Sequence, residues 1–211
     1  MAVNTQTHWE QLYKTKASNQ LSWFQQSPSI SLGLIRKTGA KPDTSIMDIG
    51  GGESRLADAL SEEGFHDLTV LDLSGHALAA AKARLGAAAA KAEWIVADVT
   101  AWEPERTYDL WHDRAAFHFL TGAAGREAYA ECVSRAVRPG GHVIIGTFSP
   151  DGPDRFSGLP VQRHDAASIS AMLGEAFALV ESLCDDHVTP AGKAQRFQFS
   201  VFRRGGSEAF E

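Results

Sequence analysis

Cysteine is scarce in this chain: only Cys132 and Cys184 occur among 211 residues. Two cysteines are too few for the disulfide framework of a small secreted protein or for a cysteine-rich zinc site, which excludes both classes. No His-x-x-x-His pair with an acidic partner occurs either, so we expect no metal site. The low cysteine count suits a reducing compartment, and we expect a cytoplasmic protein.

Positive charge is also in short supply, with 20 Lys and Arg against 26 Asp and Glu and a net charge of −6. A duplex-binding surface needs a basic field, so nucleic acid is not an expected partner. Apolar residues make up 44% of the chain and charged residues 22%, which is typical of a globular domain and not of a disordered chain. At roughly 150 residues per domain, the length favours one main domain.

Long hydrophobic runs are absent. The longest stretch without charge, residues 17–35, contains Pro28 and several Gln and Ser residues, which lipid would reject. The first residues also lack the basic-then-apolar layout of a signal peptide. The sequence therefore predicts neither a membrane partner nor a targeting segment.

The sequence does contain a repeated strand-then-helix pattern from residue 44 onwards. Strand-like segments at 45–49, 68–72, 93–97, 108–112 and 142–148 alternate with helical stripes, which favours a parallel sheet with helices on both faces. Two further strands, at 178–183 and 196–203, are close enough for a hairpin. The alternation of Phe197, Phe199 and Val201 with polar residues favours an antiparallel strand near the sheet edge.

The N-terminal part has a different pattern. Residues 1–40 predict two helices joined by an aromatic-rich turn. Ser27 and Pro28 predict the N-cap and the first position of the second helix, and Gly39 predicts its end. We therefore divide the chain into an N-terminal helical cap (1–40), a main domain (41–205) and a flexible tail (206–211).

Acidic side chains end three successive predicted strands. Asp48 closes the first strand and is followed by three glycines, Asp72 closes the second strand, and Asp98 follows the third. In an open α/β sheet, ligands bind beyond the carboxyl ends of the strands, so these acids share one rim. A carboxylate at the position of Asp72 can accept hydrogen bonds from both ribose hydroxyls. The pattern indicates a nucleoside site.

The glycine loop narrows the choice of nucleoside. A dinucleotide-binding loop reads Gly-x-Gly-x-x-Gly, but here Gly50-x-Gly52 is followed by Arg55 where the third glycine would stand. The Gly-Lys-Ser/Thr of a phosphate-binding loop is also missing. Because acids replace the groups that hold phosphate, we expect a nucleoside that is not anionic.

Five motifs in order carry a family resemblance: residues 47–52, 70–74, 98–99, 108–111 and 137–141. With them, the chain resembles the class I S-adenosylmethionine-dependent methyltransferases from about residue 44 to 203. The resemblance implies an α/β, Rossmann-like, doubly wound seven-stranded sheet of order 3-2-1-4-5-7-6 with strand 7 antiparallel. It also implies S-adenosyl-L-methionine as cofactor and S-adenosyl-L-homocysteine as product.

The resemblance also implies roles for individual residues. The first loop would hold the methionine end, Asp72 and Leu73 the ribose, Asp98 and Val99 the adenine, and the segment at Asp113 would close over the methionine ammonium. The full set of expected cofactor-binding residues is Asp48, Gly50, Gly51, Gly52, Asp72, Leu73, Asp98, Val99 and Asp113.

Residues 8–13, 22–25 and 111–120 resemble a bacterial subgroup of small methyltransferases whose acceptor the resemblance does not fix. More loosely, they are similar to small eukaryotic lysine methyltransferases that act on elongation factor or citrate synthase. Neither likeness identifies the acceptor atom.

Methyl transfer from a sulfonium is an in-line displacement, and a general base is needed only for an acceptor that is protonated at working pH. His118 is our first candidate for such a base and His112 the second, with a packing or capping histidine as the alternative. We expect the acceptor to be faced by Trp23, Arg114, Phe117 and Phe148. Arg114 would pair with an acidic acceptor or, alternatively, with Asp109 or Asp113.

Several acceptor classes are disfavoured, because neither the Asn/Asp-Pro-Pro-Tyr/Phe of amino-nucleobase enzymes nor a Pro-Cys nucleophile occurs. The leading hypothesis is methylation of a small molecule. Protein-lysine N-methylation and a non-catalytic S-adenosylmethionine-binding module are the alternatives. A nicotinamide dehydrogenase is the least favoured hypothesis. A monomer and a homodimer both remain open.

Overall fold

The computed structural model describes residues 5–206, so the predicted tail from residue 207 onwards lies outside it. The strands of this part of the chain are β1 (Ile46–Ile49), β2 (Leu68–Asp72), β3 (Ala92–Val96), β4 (Tyr108–Arg114), β5 (Val137–Phe148), β6 (Arg155–Phe156), β7 (Leu159–Pro160), β8 (Phe177–Val188) and β9 (Ala194–Arg204). β6 and β7 pair only with each other. The other seven strands form one sheet.

The sheet has the order β3-β2-β1-β4-β5-β9-β8. Without the short β6–β7 ribbon, this is the predicted order 3-2-1-4-5-7-6, and β9 runs antiparallel to β5 as expected. Ile49, the last residue of β1, lies opposite Leu71 on one side and Asp113 on the other. The strand order reverses at β1, so a ligand-binding crevice is expected where β1, β2 and β4 end.

Six α-helices surround the sheet within the described residues: α1 (Thr5–Thr15), α2 (Ser29–Lys37), α3 (Leu56–Glu62), α4 (Gly75–Leu85), α5 (Ala123–Ala136) and α6 (Ala166–Leu173). Three 3₁₀ turns add Ser18–Gln20, Gly86–Lys91 and Phe117–Phe119. One large apolar cluster joins β-sheet residues to α5 and α6, and a second joins them to α2 and α3. The sheet is therefore covered on both faces, as the alternating pattern predicts.

α2 begins one residue later than predicted. Pro28 is its N-cap and Ser29 its first residue, because Pro28 has φ −80° and ψ 55°, which is not helical. Leu32, Leu34 and Ile35 of this helix are buried in the cluster that contains α3. The division between a cap and a main domain at residue 40 stays a prediction. None of the helices between residues 5 and 206 is long and apolar enough to cross a bilayer.

The last two strands are longer than predicted. β8 and β9 pair from Phe177–Arg204 to Val188–Ala194, with a tight connection at residues 189–193. The predicted hairpin is therefore present. α6 is capped as expected, since Asp165 accepts a hydrogen bond from the Ser168 amide and Gly174 follows the last turn.

Candidate functional site

A cleft with two chambers opens at the carboxyl ends of the parallel strands. The first chamber encloses about 930 Å³ measured to its open mouth. Its lining comes from β1, β2, β3, β4 and the N-terminal segment, and includes Trp9, Tyr13, Trp23, Ile49, Gly50, Asp72, Leu73, Asp98, Val99, Arg114, Ala115, Phe119 and Phe156. The second chamber is smaller and includes Ser18, Trp23, Phe24, Gln25, Asp48, Ile49, Gly50, Gly51, Glu53, Arg55, His112 and Arg114.

Four residues line both chambers: Trp23, Ile49, Gly50 and Arg114. We call this place the junction. It lies at the end of β1, where the strand order reverses, and it connects the carboxylates of the first chamber with the polar groups of the second. The two chambers therefore adjoin at these four residues.

The glycine loop after β1 has no room for side chains. A Cβ at Gly50, which has φ 64°, would stand 2.6 Å from the Ala116 Cβ. A Cβ at Gly51 would stand 2.4 Å from Val70 Cγ1. At Gly52 it would stand 2.8 Å from the Tyr13 hydroxyl. The loop therefore turns tightly beneath the cleft and brings its backbone close to any ligand there.

Asp72 is the most strongly perturbed acid of the cleft. Its carboxylate is buried and its Oδ1 accepts a 2.7 Å hydrogen bond from the Ser74 amide. Burial raises the pKa of Asp72 to about 7; the amides of Ser74 and Gly52 work against that shift, and the nearby Asp48 adds to it. Around neutral pH this carboxyl group is poised between its two protonation states, and hydroxyl donors from a ligand would favour the ionised one.

Asp48 is held by a chain of hydrogen bonds. Its Oδ1 lies 2.7 Å from His112 Nδ1, and His112 Nε2 lies 2.9 Å from the hydroxyl of Ser31 on α2. Since the carboxylate can only accept, Nδ1 donates a proton to Asp48, and the second ring nitrogen is engaged by Ser31. Both ring nitrogens of His112 are therefore hydrogen-bonded within the protein, and the ring orients Asp48.

Asp98, Val99 and Leu73 lie together on the wall of the first chamber. Oδ1 of Asp98 accepts from the amide and the hydroxyl of Thr100, at 2.9 and 2.7 Å. These bonds fix the carboxylate just after β3. The predicted grouping of acids from β1, β2 and β3 on one rim is what the structure shows.

The N-terminal segment forms the roof of the cleft. Trp9 packs edge-on against Trp23 at 5.8 Å and against Phe119 at 4.9 Å between ring centroids. Glu10 accepts a 3.2 Å hydrogen bond from the His76 amide, which ties α1 to the start of α4. The roof leaves an aromatic wall at the entrance of the first chamber.

Asp113, Phe117 and Phe148 occupy different places from those expected. Each is fully buried, and none of the three lines either chamber. Asp113 Oδ1 accepts from the Ala116 amide, and its Oδ2 accepts from Tyr129. The carboxylate therefore shapes the turn after β4 and is not available to a ligand ammonium, and the two phenylalanines pack in the core and do not face an acceptor.

His118, the first candidate for a general base, also lies in the core. Its ring is buried and packs against Phe148 at 4.8 Å, outside both chambers. Burial lowers its pKa to about 3. The Phe148 amide donates to Nδ1 at 3.3 Å, so the proton of the neutral ring sits on Nε2 and no lone pair is left for base catalysis. The packing alternative describes this histidine.

Arg114 and Trp23 line both chambers of the cleft, and their contact with an acceptor stays a prediction. The sequence did not point to two other residues of the cleft, Tyr13 and Arg55, or to Ser31, which lies behind it and contacts His112. Tyr13 lies over Gly52, and Arg55 lines the second chamber with its guanidinium 5.9 Å from the Phe24 ring. The only signal for Arg55 was its place three residues beyond Gly52, the last glycine of the loop. Ser31 sits inside a helix and gave no signal.

The sheet order and the cleft at the carboxyl ends of the parallel strands are those of a Rossmann-like methyltransferase fold. Residues 46–141 match the family model described as "Methyltransferase domain". No curated protein has a significantly similar sequence.

Solved structures share the fold over nearly the whole chain. A methyltransferase from Anabaena variabilis is 15% identical, with a TM-score of 0.77 and coverage of 96% of each chain. The 1,6-didemethyltoxoflavin-N1-methyltransferase of Burkholderia thailandensis is 18% identical, with a TM-score of 0.68 and coverage of 96% of this chain and 85% of that one. The N-methyltransferase NodS of Bradyrhizobium japonicum is 18% identical, with a TM-score of 0.65 and coverage of 92% and 97%.

Proposed function

We propose that this protein is an S-adenosylmethionine-dependent methyltransferase that acts on a small molecule. The observation that carries the proposal is the two-chamber cleft, whose first chamber presents Asp72 and Asp98 and whose second presents Asp48 and Arg55. The first set suits a nucleoside without phosphate, and the second suits the ammonium and carboxylate of an amino acid. S-adenosylmethionine joins these two parts through its sulfur. The Burkholderia and NodS structures were each solved with S-adenosylhomocysteine.

Each part of the cofactor has named residues. Asp72 would accept from the ribose hydroxyls, while Asp98, Val99 and Leu73 would border the adenine. Asp48 would face the methionine ammonium, and Arg55, whose Nε is buried without a hydrogen-bond partner among residues 5–206, would take the methionine carboxylate. This arrangement puts the sulfur at the junction.

The reaction needs alignment more than proton transfer. A lone pair of the acceptor forms a bond to the methyl carbon while the carbon–sulfur bond breaks, and its electrons stay on sulfur, which becomes a neutral thioether. Holding the three atoms in line supplies effective molarities on the order of 10⁵ M or more. Because both ring nitrogens of His112 are hydrogen-bonded within the protein and His118 lines neither chamber, we infer that the acceptor reaches the cleft with its nucleophilic lone pair already available.

This reasoning disfavours a lysine acceptor. A lysine ammonium must lose a proton before it can attack, and neither candidate histidine is placed to remove it. Aromatic side chains also line the first chamber, among them Trp9, Trp23 and Phe156, and this wall suits the body of a small molecule.

The test is binding of S-adenosylhomocysteine measured by calorimetry, followed by transfer of a labelled methyl group to a pool of metabolites. We expect micromolar binding by the native protein and at least about tenfold weaker binding by Asp72→Ala, since two hydrogen bonds to a carboxylate are lost. A matched control is Asp67→Ala, an exposed acid that pairs with Arg106 far from the cleft. Absence of cofactor binding by the folded native protein would refute the proposal.

A further inference from the structure

Arg114 leaves part of its hydrogen-bonding capacity unused inside the cleft. Its Nη1 donates to the Trp23 carbonyl at 3.2 Å, and its guanidinium stacks 4.7 Å from the Phe197 ring centroid. Nε and Nη2 are buried, and neither has a hydrogen-bond partner within residues 5–206. Buried donors of a charged group are costly to leave unpaired, so these two nitrogens point to a missing ligand.

No acidic side chain of the described chain pairs with this arginine. Asp109, one of the expected partners, forms an ion pair with Arg138 instead. Asp113, the other, is bonded to the Ala116 amide and to Tyr129. Asp185 acts on Arg114 only through its longer-range electrostatic attraction. Burial lowers the pKa of Arg114 to about 10, so the side chain is still a cation at neutral pH.

The position of Arg114 shows where its partner must come from. It is the last residue of β4 and lines both chambers at the junction, where the proposed function puts the positive sulfur of the cofactor. A guanidinium and a sulfonium at one place repel each other. An anion that lies between them would be attracted by both, and that is where the acceptor has to approach.

We propose that Arg114 binds a carboxylate of the acceptor, and that the acceptors of this enzyme are small carboxylate-bearing molecules with an apolar or aromatic body. This inference rests on the proposed function. Nε and Nη2 form the side of the guanidinium fork that matches the two oxygens of a carboxylate. The body of such a molecule fits the aromatic wall of the first chamber, formed by Trp9, Phe119 and Phe156. Arg114 acts here as a specificity-determining residue.

A second source of a carboxylate is the methionine end of the cofactor itself, and the two sources can be separated. S-adenosylhomocysteine carries that carboxylate, whereas 5′-methylthioadenosine does not. If Arg114 serves the acceptor, Arg114→Met leaves the affinities for both nucleosides within about threefold of the native values. If it serves the cofactor, Arg114→Met weakens only S-adenosylhomocysteine, by at least about tenfold, which would overturn the proposal.

The direct test uses the full chain saturated with S-adenosylhomocysteine. Phenylacetate, indole-3-acetate and benzoate are titrated by calorimetry against their neutral amides. We expect at least one of these acids to bind about tenfold or more tightly than its amide, and we expect Arg114→Met to lose that preference. Arg114→Lys keeps the charge without the fork and should retain only part of the preference for the acid over its amide. Arg106→Met, which removes an exposed arginine paired with Asp67, should keep all of it.

Each remaining outcome also decides the matter. Native protein that binds S-adenosylhomocysteine but shows no preference for any acid over its amide would overturn the inference and leave the proposed function standing. A preference that survives unchanged in Arg114→Met and Arg114→Lys would also overturn it. Failure of the native protein to bind S-adenosylhomocysteine would remove the proposed function and this inference together. Should Arg114→Met fail to fold, Arg114→Lys carries the comparison.

Discussion

Replacing Asp72 by Asn should stabilise the empty protein and weaken its hold on the cofactor. Burial raises the pKa of Asp72 from 3.8 to about 7 in the folded chain. The folded state therefore binds the proton more tightly than the unfolded state, and the stability lost on ionisation grows as pH rises from about 4 to about 7. The difference in pKa corresponds to at most about 4 kcal/mol above pH 7, on the order of 1.4 kcal/mol per pKa unit.

The asparagine cannot ionise, and its side-chain oxygen can still accept from the Ser74 amide. If half of the maximal gain is realised, Asp72→Asn should melt at least about 4 °C higher than the native chain at pH 8, at roughly 2 °C per kcal/mol. The gain should shrink markedly at pH 5, because the native Asp72 is then largely protonated. Differential scanning calorimetry of the empty proteins at the two pH values measures both effects.

The pH dependence of cofactor binding tests the ionisation of Asp72 in a second way. If the ribose hydroxyls bind the ionised form, S-adenosylhomocysteine should bind about tenfold more weakly at pH 6 than at pH 8, given a pKa of about 7 in the empty protein. Asp72→Asn should bind weakly and without this pH dependence. Asp98→Asn removes another carboxylate of the same chamber, and this variant should keep the pH dependence of S-adenosylhomocysteine binding. A flat pH profile in the native protein, or an Asp72→Asn variant that melts lower at pH 8, would refute the reasoning.

Three further predictions concern the loop, the second chamber and the roof. Gly51→Ala should lower the free energy of unfolding by about 1–3 kcal/mol in urea titrations, since its Cβ would stand 2.4 Å from Val70 Cγ1. Ser31→Ala removes the Nε2 partner of His112 and should weaken S-adenosylhomocysteine severalfold while sparing 5′-methylthioadenosine in calorimetry. Glu10→Gln should loosen α1, because a charged acceptor of the His76 amide is lost, and limited proteolysis should then cleave the N-terminal segment faster.

The sheet could be predicted because its signals are local and repeat. Each parallel strand reads as a short apolar segment, and the acids that follow β1, β2 and β3 must meet at one rim once the strands are parallel. The alternation of Phe197, Phe199 and Val201 predicted the antiparallel direction of β9 but also a half-exposed strand, which is wrong because Gln198 and Ser200 on the other face are buried as well. These inferences need only the period of the pattern and the order of the elements.

The orientation of the side chains after β4 could not be predicted from a repeating pattern. Ala115 has a φ of 68°, an uncommon conformation for a residue with a side chain, and it redirects the chain at that point. Phe117 and His118 then enter a 3₁₀ turn and point into the protein, while Phe119 lines the cleft. That single turn decides which of these three neighbouring side chains faces the cleft. A periodic pattern in the sequence does not predict such a turn.

Long-range docking hides the other missing residues from a sequence reading. Tyr13 reaches the glycine loop only because α1 packs over the start of α4, and Ser31 reaches His112 only because α2 packs on the sheet. Both contacts join residues that are far apart in the chain, so neither spacing nor composition predicts them. The aromatic spacing of α1 indicated a buried face without showing what it covers.

Two charged groups of opposite sign therefore lie in one cleft without neutralising each other. Asp72 gains little from its surroundings and is driven toward its protonated form by burial, while two buried donors of Arg114 have no acceptor within residues 5–206. Packing for stability alone would favour apolar side chains at both places, since an unpaired buried charge lowers the stability of the folded state. Ligands that bring hydroxyls to Asp72 and an anion to Arg114 relieve both penalties, and binding then stabilises the fold by the free energy of that relief. S-adenosylhomocysteine should therefore raise the melting temperature, and a carboxylate added to the saturated complex should raise it further. Arg114→Met should lose only the second increase, and a second increase that persists in Arg114→Met would contradict this account.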